Sequence, residues 1–411
     1  MDCAEMVDAM HEEIDLSTDN LELGALARPL VAGGAVVGVL GLALSALLGF
    51  LDDGGWSRFL HSYLVAFAFF LSLSLGALFF IGIWHVTHSG WCVVVRRVAE
   101  AIAMNVVPMA VLAIPIALGL GALYPWTDAE VIAHSPLVAK KIGFLNPTFF
   151  VIRLAVYFTV WSGLAFYYFT RSVRQDTTGD VGLTHKLQWL GGPGTALFAL
   201  TTAGAGFDLL MSLEPEWFST MFGVYYFAGA MVGFYALLIL VVFGLQWSGR
   251  MRAAVSIEHY HDMGKLAFGF VVFWAYIAFS QFMLYWYANL PEETHWYMMR
   301  TEAGWLLPSV FLILGHFVLP FLGMMSRSVK RNRILLAMAA CWLLFAHWVD
   351  LYWVVMPSVN SLRVPFNLMD LTAMVGIGGL YVAMLAVWLN GRSLVPVKDP
   401  RLAESLAFEN V

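Results

Sequence analysis

The sequence predicts an all-α integral membrane protein of ten transmembrane helices, built as two four-helix bundles (helices 2–5 and 6–9) with helices 1 and 10 at the flanks. Two observations predict the class and a third the arrangement. Of 411 residues, 60% are hydrophobic and 12% charged, with a mean hydropathy of +0.76; a soluble globule carries about 45–50% apolar and about 25% charged residues. Too few polar side chains remain to coat a water-soluble surface of this size. The apolar residues also fall in blocks long enough to cross the ~30 Å hydrocarbon core. Finally, FDLLMSLEP (207–215) aligns with VDLYWVVMP (349–357), each with an Asp seven residues before a helix-ending Pro. Four spans separate the two, so both run the same way, as in a parallel repeat.

Taken in order, residues 1–29 form an acidic N-terminal arm, expected to be cytoplasmic. Asp2, Glu5, Asp8, Glu12, Glu13, Asp15, Asp19 and Glu22 precede the first base, Arg28, a charge that repels nucleic acid and anionic lipid. Residues 30–60 hold span 1 (30–51) and its loop. No basic segment leads into a short apolar run, so span 1 is expected to act as its own insertion signal. The first four-helix unit, 61–217, contains spans at 61–84, 101–123, 148–170 and 193–213; its GGPG (191–194) and TTAGAG (201–206) stretches lack a P-loop lysine and read as close helix packing. The second unit, 218–367, contains spans at 218–246, 264–289, 304–325 and 333–356. Span 10 (368–389) and a cytoplasmic tail complete residues 368–411.

Lys and Arg set the expected orientation. Sixteen bases, among them Arg96, Arg97, Arg250, Arg252 and Arg327 to Arg333, fall in loops on one side, against Arg58, Lys140, Lys141, Arg300 and Arg363 on the other. By the positive-inside rule both termini lie in the cytoplasm, as expected of a multi-pass protein of the cell inner membrane. Cys3, Cys92 and Cys341 lie far apart and without CxxC spacing, so the chain itself is expected to hold neither an iron-sulfur cluster nor covalent haem.

Ionisable residues within spans are costly and are functional hypotheses by default. His61, Arg153 and Asp208 fall in one leaflet of the first unit. They read either as a quinol pocket, with His and Asp accepting protons, or as a structural Arg153–Asp208 ion pair. In the second unit His347 and Asp350 share a helix face, three residues apart. His316 sits at similar depth, where Pro320 frees a backbone carbonyl. These three read as a proton relay, with Tyr276 and Gln281 on span 7 filling part of the route and Glu258, His259, His261 and Asp262 collecting protons at the cytoplasmic entrance. The rival for Asp262 is capping of helix 7. No metal is expected: His-x-His on a helix points two ways and lacks a matching ligand pair. Bis-histidine haem b between spans 8 and 9 is disfavoured, because Trp348 and Trp353 flank His347 where a porphyrin needs small residues.

The block EHYHDMGKLAFGFVVFWAYIAFSQFMLYWYANLPEETHWYMMR (258–300) resembles the signature region of the ActF-type membrane subunit of alternative complex III. The ten-helix, two-bundle layout is similar to that of the NrfD and polysulfide-reductase membrane-subunit family. The resemblance implies a subunit of a respiratory quinol:electron-acceptor (cytochrome c) oxidoreductase. Its partners would be a second NrfD-like subunit holding the better-supported quinol site, iron-sulfur and haem c subunits, and in some assemblies a terminal oxidase. This chain would then be scaffold and proton path in the membrane lipid. A secondary transporter and a purely structural anchor are the alternatives; against transport, the prolines of spans 3 and 8 are not in matching positions.

Overall fold

The computed structural model describes residue 16 and residues 19–52 and 54–410. Most of the acidic arm, including Asp2, Glu5, Asp8, Glu12, Glu13 and Asp15, lies outside the described residues, as do Cys3 and Asp53.

Ten helices are long and apolar enough to cross a membrane: α1 (Gly24–Leu51), α2 (Gly55–Val86), α3 (Val93–Leu118), α4 (Pro147–Thr178), α5 (Val181–Leu213), α6 (Phe222–Trp247), α7 (Ile257–Ala288), α8 (Leu306–Met325), α9 (Arg333–Ser358) and α10 (Leu368–Leu389). The chain is a multi-pass, all-α membrane protein; among the described residues the one β pairing is an isolated bridge between Glu22 and Ser393. Each helix matches one predicted span, and several run beyond it, because hydropathy marks the lipid-embedded stretch while the helix continues to its cap. Thus α4 extends past residue 170 to Gly179, whose left-handed φ of 65° directs its N–H to the carbonyl of Gln175. The helix α5 then opens at once on Asp180, which accepts from the N–H of Gly182.

With ten spans, both ends of the chain lie on one face, called here the terminal face, opposite the far face. The segments flanking α1 and α10 meet there, Leu394 N–H donating to Leu21 O at 2.7 Å, and the α6–α7 loop joins them through Met251 N–H to Asn20 O at 3.1 Å. The central pair is α2 and α6, crossing at Gly76, where a Cβ would stand 2.6 Å from the carbonyl oxygen of Ala230. Around them, α2 contacts α3, α5 and α6, while α6 contacts α7, α9 and α2, a pattern that recurs at an offset of four helices. At the flank α1 and α10 pack backbone to backbone; a Cβ on Gly379 would stand 2.6 Å from the amide nitrogen of Gly38. The GGPG stretch also packs closely, as Gly191 lies against Val86.

Several charges counted as loop residues are in fact buried. Because α2 begins at Gly55, Arg58 lies inside it and pairs with Asp370 of α10 at 2.7 Å, while also donating to Pro365 O at 2.5 Å. On the terminal face Arg96 pairs with Asp399 at 2.5 Å, and Arg97 with Glu100 at 3.1 Å and Asp176 at 2.7 Å, tying α3 to α4 and to the C-terminal tail. Pairing spares each of these charges the larger cost of being buried alone.

Candidate functional site

Between α2, α6, α7, α8 and α9 lies a polar cluster wholly enclosed by apolar side chains. Asp350, 1% exposed, accepts from the Tyr225 hydroxyl of α6 through Oδ1 and from the Trp274 indole of α7 through Oδ2 at 3.1 Å. Both donors are neutral, and no Lys, Arg or His forms a salt bridge with it among the described residues. One turn away, His347 contacts Ser72 of α2 through Nε2 at 2.8 Å. The Ser72 hydroxyl donates to Phe69 O at 2.6 Å, so it accepts from His347, which places the imidazole proton on Nε2. Nδ1 is left as a buried acceptor without a protein partner. Gly229 of α6 opens the space: a Cβ there would stand 3.0 Å from His347 Cε1 and 3.6 Å from Asp350 Oδ2. A crevice too tight for a water molecule runs along Tyr225, Gly229, His347, Asp350 and Val354.

His316 approaches from α8 without touching either. Its ring lies 3.9 Å, centroid to centroid, from Trp274, whose N–H reaches Asp350. Both His316 ring nitrogens are buried without partners, a costly state that marks a functional hypothesis. Residues Leu312–Val318 form a π-helix, a form that recurs at functional sites. Leu319 N–H bonds the carbonyl of Leu314, five residues back. In that register the next donor is Pro320, which has no N–H, so the carbonyl released is that of Gly315 rather than of residue 316. Trp342 Nε1–H fills it at 2.7 Å. Small residues do stand beside His347, namely Gly229 and Gly233 of α6. The space they leave is filled by the imidazole itself, and Trp353 points away to Ser309. Among the described residues no three His, Cys, Asp or Glu side chains converge as metal ligands.

The first unit's charges are arranged differently. Arg153 and Asp208 form a two-bond pair, Nε and Nη2 each donating at 2.8 Å. Tyr157 adds a third donor to Asp208 at 2.9 Å. Arg153 also donates to Phe144 O at 2.8 Å and lies 3.8 Å from the Phe144 ring centre. Each Asp208 oxygen is engaged from within the protein, and Arg153 turns three of its five N–H donors inward. His61 bonds the Ser57 carbonyl of its own helix at 2.7 Å and neither Arg153 nor Asp208.

At the start of α7, Ser256 rather than Asp262 is the cap, in a reciprocal box with His259. His259 also bonds Ser405 O at 3.0 Å, so it holds the tail. Glu258 pairs with Arg331 at 2.5 Å and Asp262 with Lys265; His261 is buried with Nδ1 unpartnered. From Leu266 to Phe273 the helix carries no polar side chain, so α7 itself offers no polar step between this end and Trp274. Tyr276 is 63% exposed on the outside of the bundle. Gln281 lies beyond the cluster, toward the far face, accepting from Ser219 at 2.9 Å and donating to Tyr297 at 3.0 Å.

No family model matches this chain, and no curated protein matches it. The geometry itself adds groups that sequence reading missed. Arg300, counted as an outer-loop base, is 1% exposed, with its guanidinium 3.7 Å from the Trp296 ring centre. It donates to Val354 O at 2.7 Å and Trp296 O at 2.9 Å, and burial pushes its pKa down to about 9. Val354 also lines the Asp350 crevice. On its other side Trp296 borders an open far-face cavity with Glu214 and His295, where burial raises the Glu214 carboxyl above its usual range. The one sequence signal was WYMMR itself: a base one helical turn after a Trp, in a segment too short to span.

Proposed function

We propose that this chain is the integral, cofactor-free subunit of a respiratory quinol:electron-acceptor oxidoreductase, in which Asp350 and its neighbours hold and pass a proton. The observation that carries the reading is Asp350: a carboxyl sealed in the bundle, held by the neutral Tyr225 and Trp274, with His347 one turn away. A purely structural acid is normally neutralised, as Asp208 is by Arg153. An acid kept without a cation, beside an imidazole with a vacant acceptor nitrogen, can change protonation state without leaving a buried counter-charge unpaired.

The resemblance of residues 258–300 to the ActF-type subunit supplies the context: iron-sulfur, haem c and second NrfD-like partners, a possible terminal oxidase, and the inner membrane with both termini cytoplasmic. The Arg153–Asp208 pair favours a structural role there over a quinol pocket, which leaves quinol to the second NrfD-like subunit that the resemblance implies. The apolar stretch of α7 below Trp274 argues against entry through Glu258 to Asp262, whereas Tyr297, Gln281 and Arg300 extend the polar zone toward the far face.

The test is purification from its native membrane, followed by reconstitution with the electron acceptor. Redox partners should accompany the chain, and Asp350→Asn should keep quinol oxidation while lowering protons moved per electron. A chain that purifies alone and carries a solute with protons would make it a transporter; an unchanged proton ratio would return Asp350 to a structural role.

A further inference from the structure

On the terminal face a cleft of about 920 Å³ opens between the end of α6 and the starts of α7 and α9. Three guanidinium groups line it: Arg252, Arg331 and Arg333. Among the described residues the carboxylates near them are Glu258, fully engaged by Arg331 through two bonds at 2.5 and 2.7 Å, and Asp19, whose oxygens accept from the backbone N–H groups of residues 252, 253 and 254. Arg252 makes one long side-chain bond, to Gln246 O at 3.4 Å, and Arg333 lies 5.5 Å from the Tyr260 ring centre. Neither forms an ion pair among the described residues.

Apart from Gln246 and Asn332, the rest of the lining is apolar. Phe243, Ile257 and Ile334 form it together with Trp247, which is 77% exposed at the end of a membrane-spanning helix. A Trp at that depth belongs to the membrane interface. The cleft therefore sits where a bilayer presents phosphate on one side and hydrocarbon on the other, and it offers cations to the first and an apolar surface to the second.

We propose that this cleft is a binding site for an anionic phospholipid, its phosphate held between Arg252 and Arg333 and its acyl chains lying along Trp247, Phe243 and Ile334. Guanidinium groups suit phosphate because their paired N–H donors match two of its oxygens, and basic pockets between spanning helices are a recurrent headgroup site. The position of the apolar wall selects a lipid over free phosphate, which would gain nothing from Trp247. The proposal depends only on the chain spanning a membrane and not on the respiratory reading.

The experiment is native mass spectrometry of the full chain in detergent, incubated with phosphatidylglycerol or with phosphatidylethanolamine of the same acyl chains. The wild type should retain phosphatidylglycerol preferentially, and R252Q/R333Q should lower that retention about tenfold or more, at about one kcal/mol per basic residue, with melting temperature unchanged because both side chains are at the surface. Millimolar inorganic phosphate should not displace the lipid. Equal retention by the double variant, equal retention of the two lipids, or displacement by phosphate would each overturn the lipid assignment.

Discussion

The Tyr225 hydroxyl donates to the Asp350 carboxylate across the α6–α9 contact, joining two helices at a point where neither brings a positive charge. Such a bond is worth more inside the bundle than in water, because losing it leaves a buried acceptor unpaired. Asp350 lies seven residues before Pro357, as Asp208 lies seven before Pro215, yet the two carboxylates have opposite surroundings: one is matched by Arg153 and the other by neutral donors alone.

Removing that hydroxyl should be felt directly. Tyr225→Phe is expected to lower the stability of the detergent-solubilised protein by about 1–3 kcal/mol, and Asp350→Leu, which removes the acceptor as well, should offset much of the loss when combined with it. A Tyr225→Phe protein that melts with the wild type would show that the bond does not constrain Asp350.

The Arg153–Asp208 pair makes the opposite prediction. Arg153→Ala leaves a carboxylate buried without its cation and should cost about 3–5 kcal/mol, seen as loss of folded protein from the membrane. Replacing both with apolar residues of similar volume should restore most of the yield. If Arg153→Ala accumulates normally but impairs turnover alone, the pair is part of a binding site.

Glu214 makes the far face pH-dependent. Burial raises its carboxyl, with Arg300 and His295 opposing. Below the ordinary glutamate range both folded and unfolded chains hold the proton; as pH rises the unfolded chain releases it first, so this contribution to stability is lost with increasing pH. Glu214→Gln should therefore gain on the wild type in melting temperature as pH rises through and above the ordinary glutamate range. A difference that does not vary with pH would mean that Glu214 titrates alike in both states.

Orientation is testable at exposed positions. On a cysteine-free background, Arg327→Cys should resist a membrane-impermeant reagent in intact cells while Lys140→Cys reacts, given the excess of bases on the terminal face. Lys330 is unsuitable as a reporter because its ammonium is turned inward onto the carbonyls of Met324 and Met325. Labelling of Arg327→Cys from outside would invert the topology.

Some of this was written locally and some was not. The ten spans, the membrane class and the burial of His316, His347, Asp350, Arg153 and Asp208 follow from one-dimensional information, because a bilayer requires about twenty apolar residues per crossing and makes each interior charge conspicuous. The even span count likewise places both ends on one face. What only the tertiary structure decided is partnership. Which acid meets which base depends on helix rotation and neighbour choice: Arg153 finds Asp208 across 55 positions, Arg58 finds Asp370 across 312, and Asp350 meets the neutral donors Tyr225 and Trp274 in place of a base. Hydropathy also misread Arg58, Arg97 and Arg300 as loop charges, since a base near a span end looks the same in sequence whether it faces water or turns inward onto a carboxylate or backbone carbonyls. Finally, the route along α7 was set by helical phase: Tyr276 and Gln281 are five residues apart, which puts one outside the bundle and the other within it, because side chains at that spacing are about 140° apart around a helix with 3.6 residues per turn.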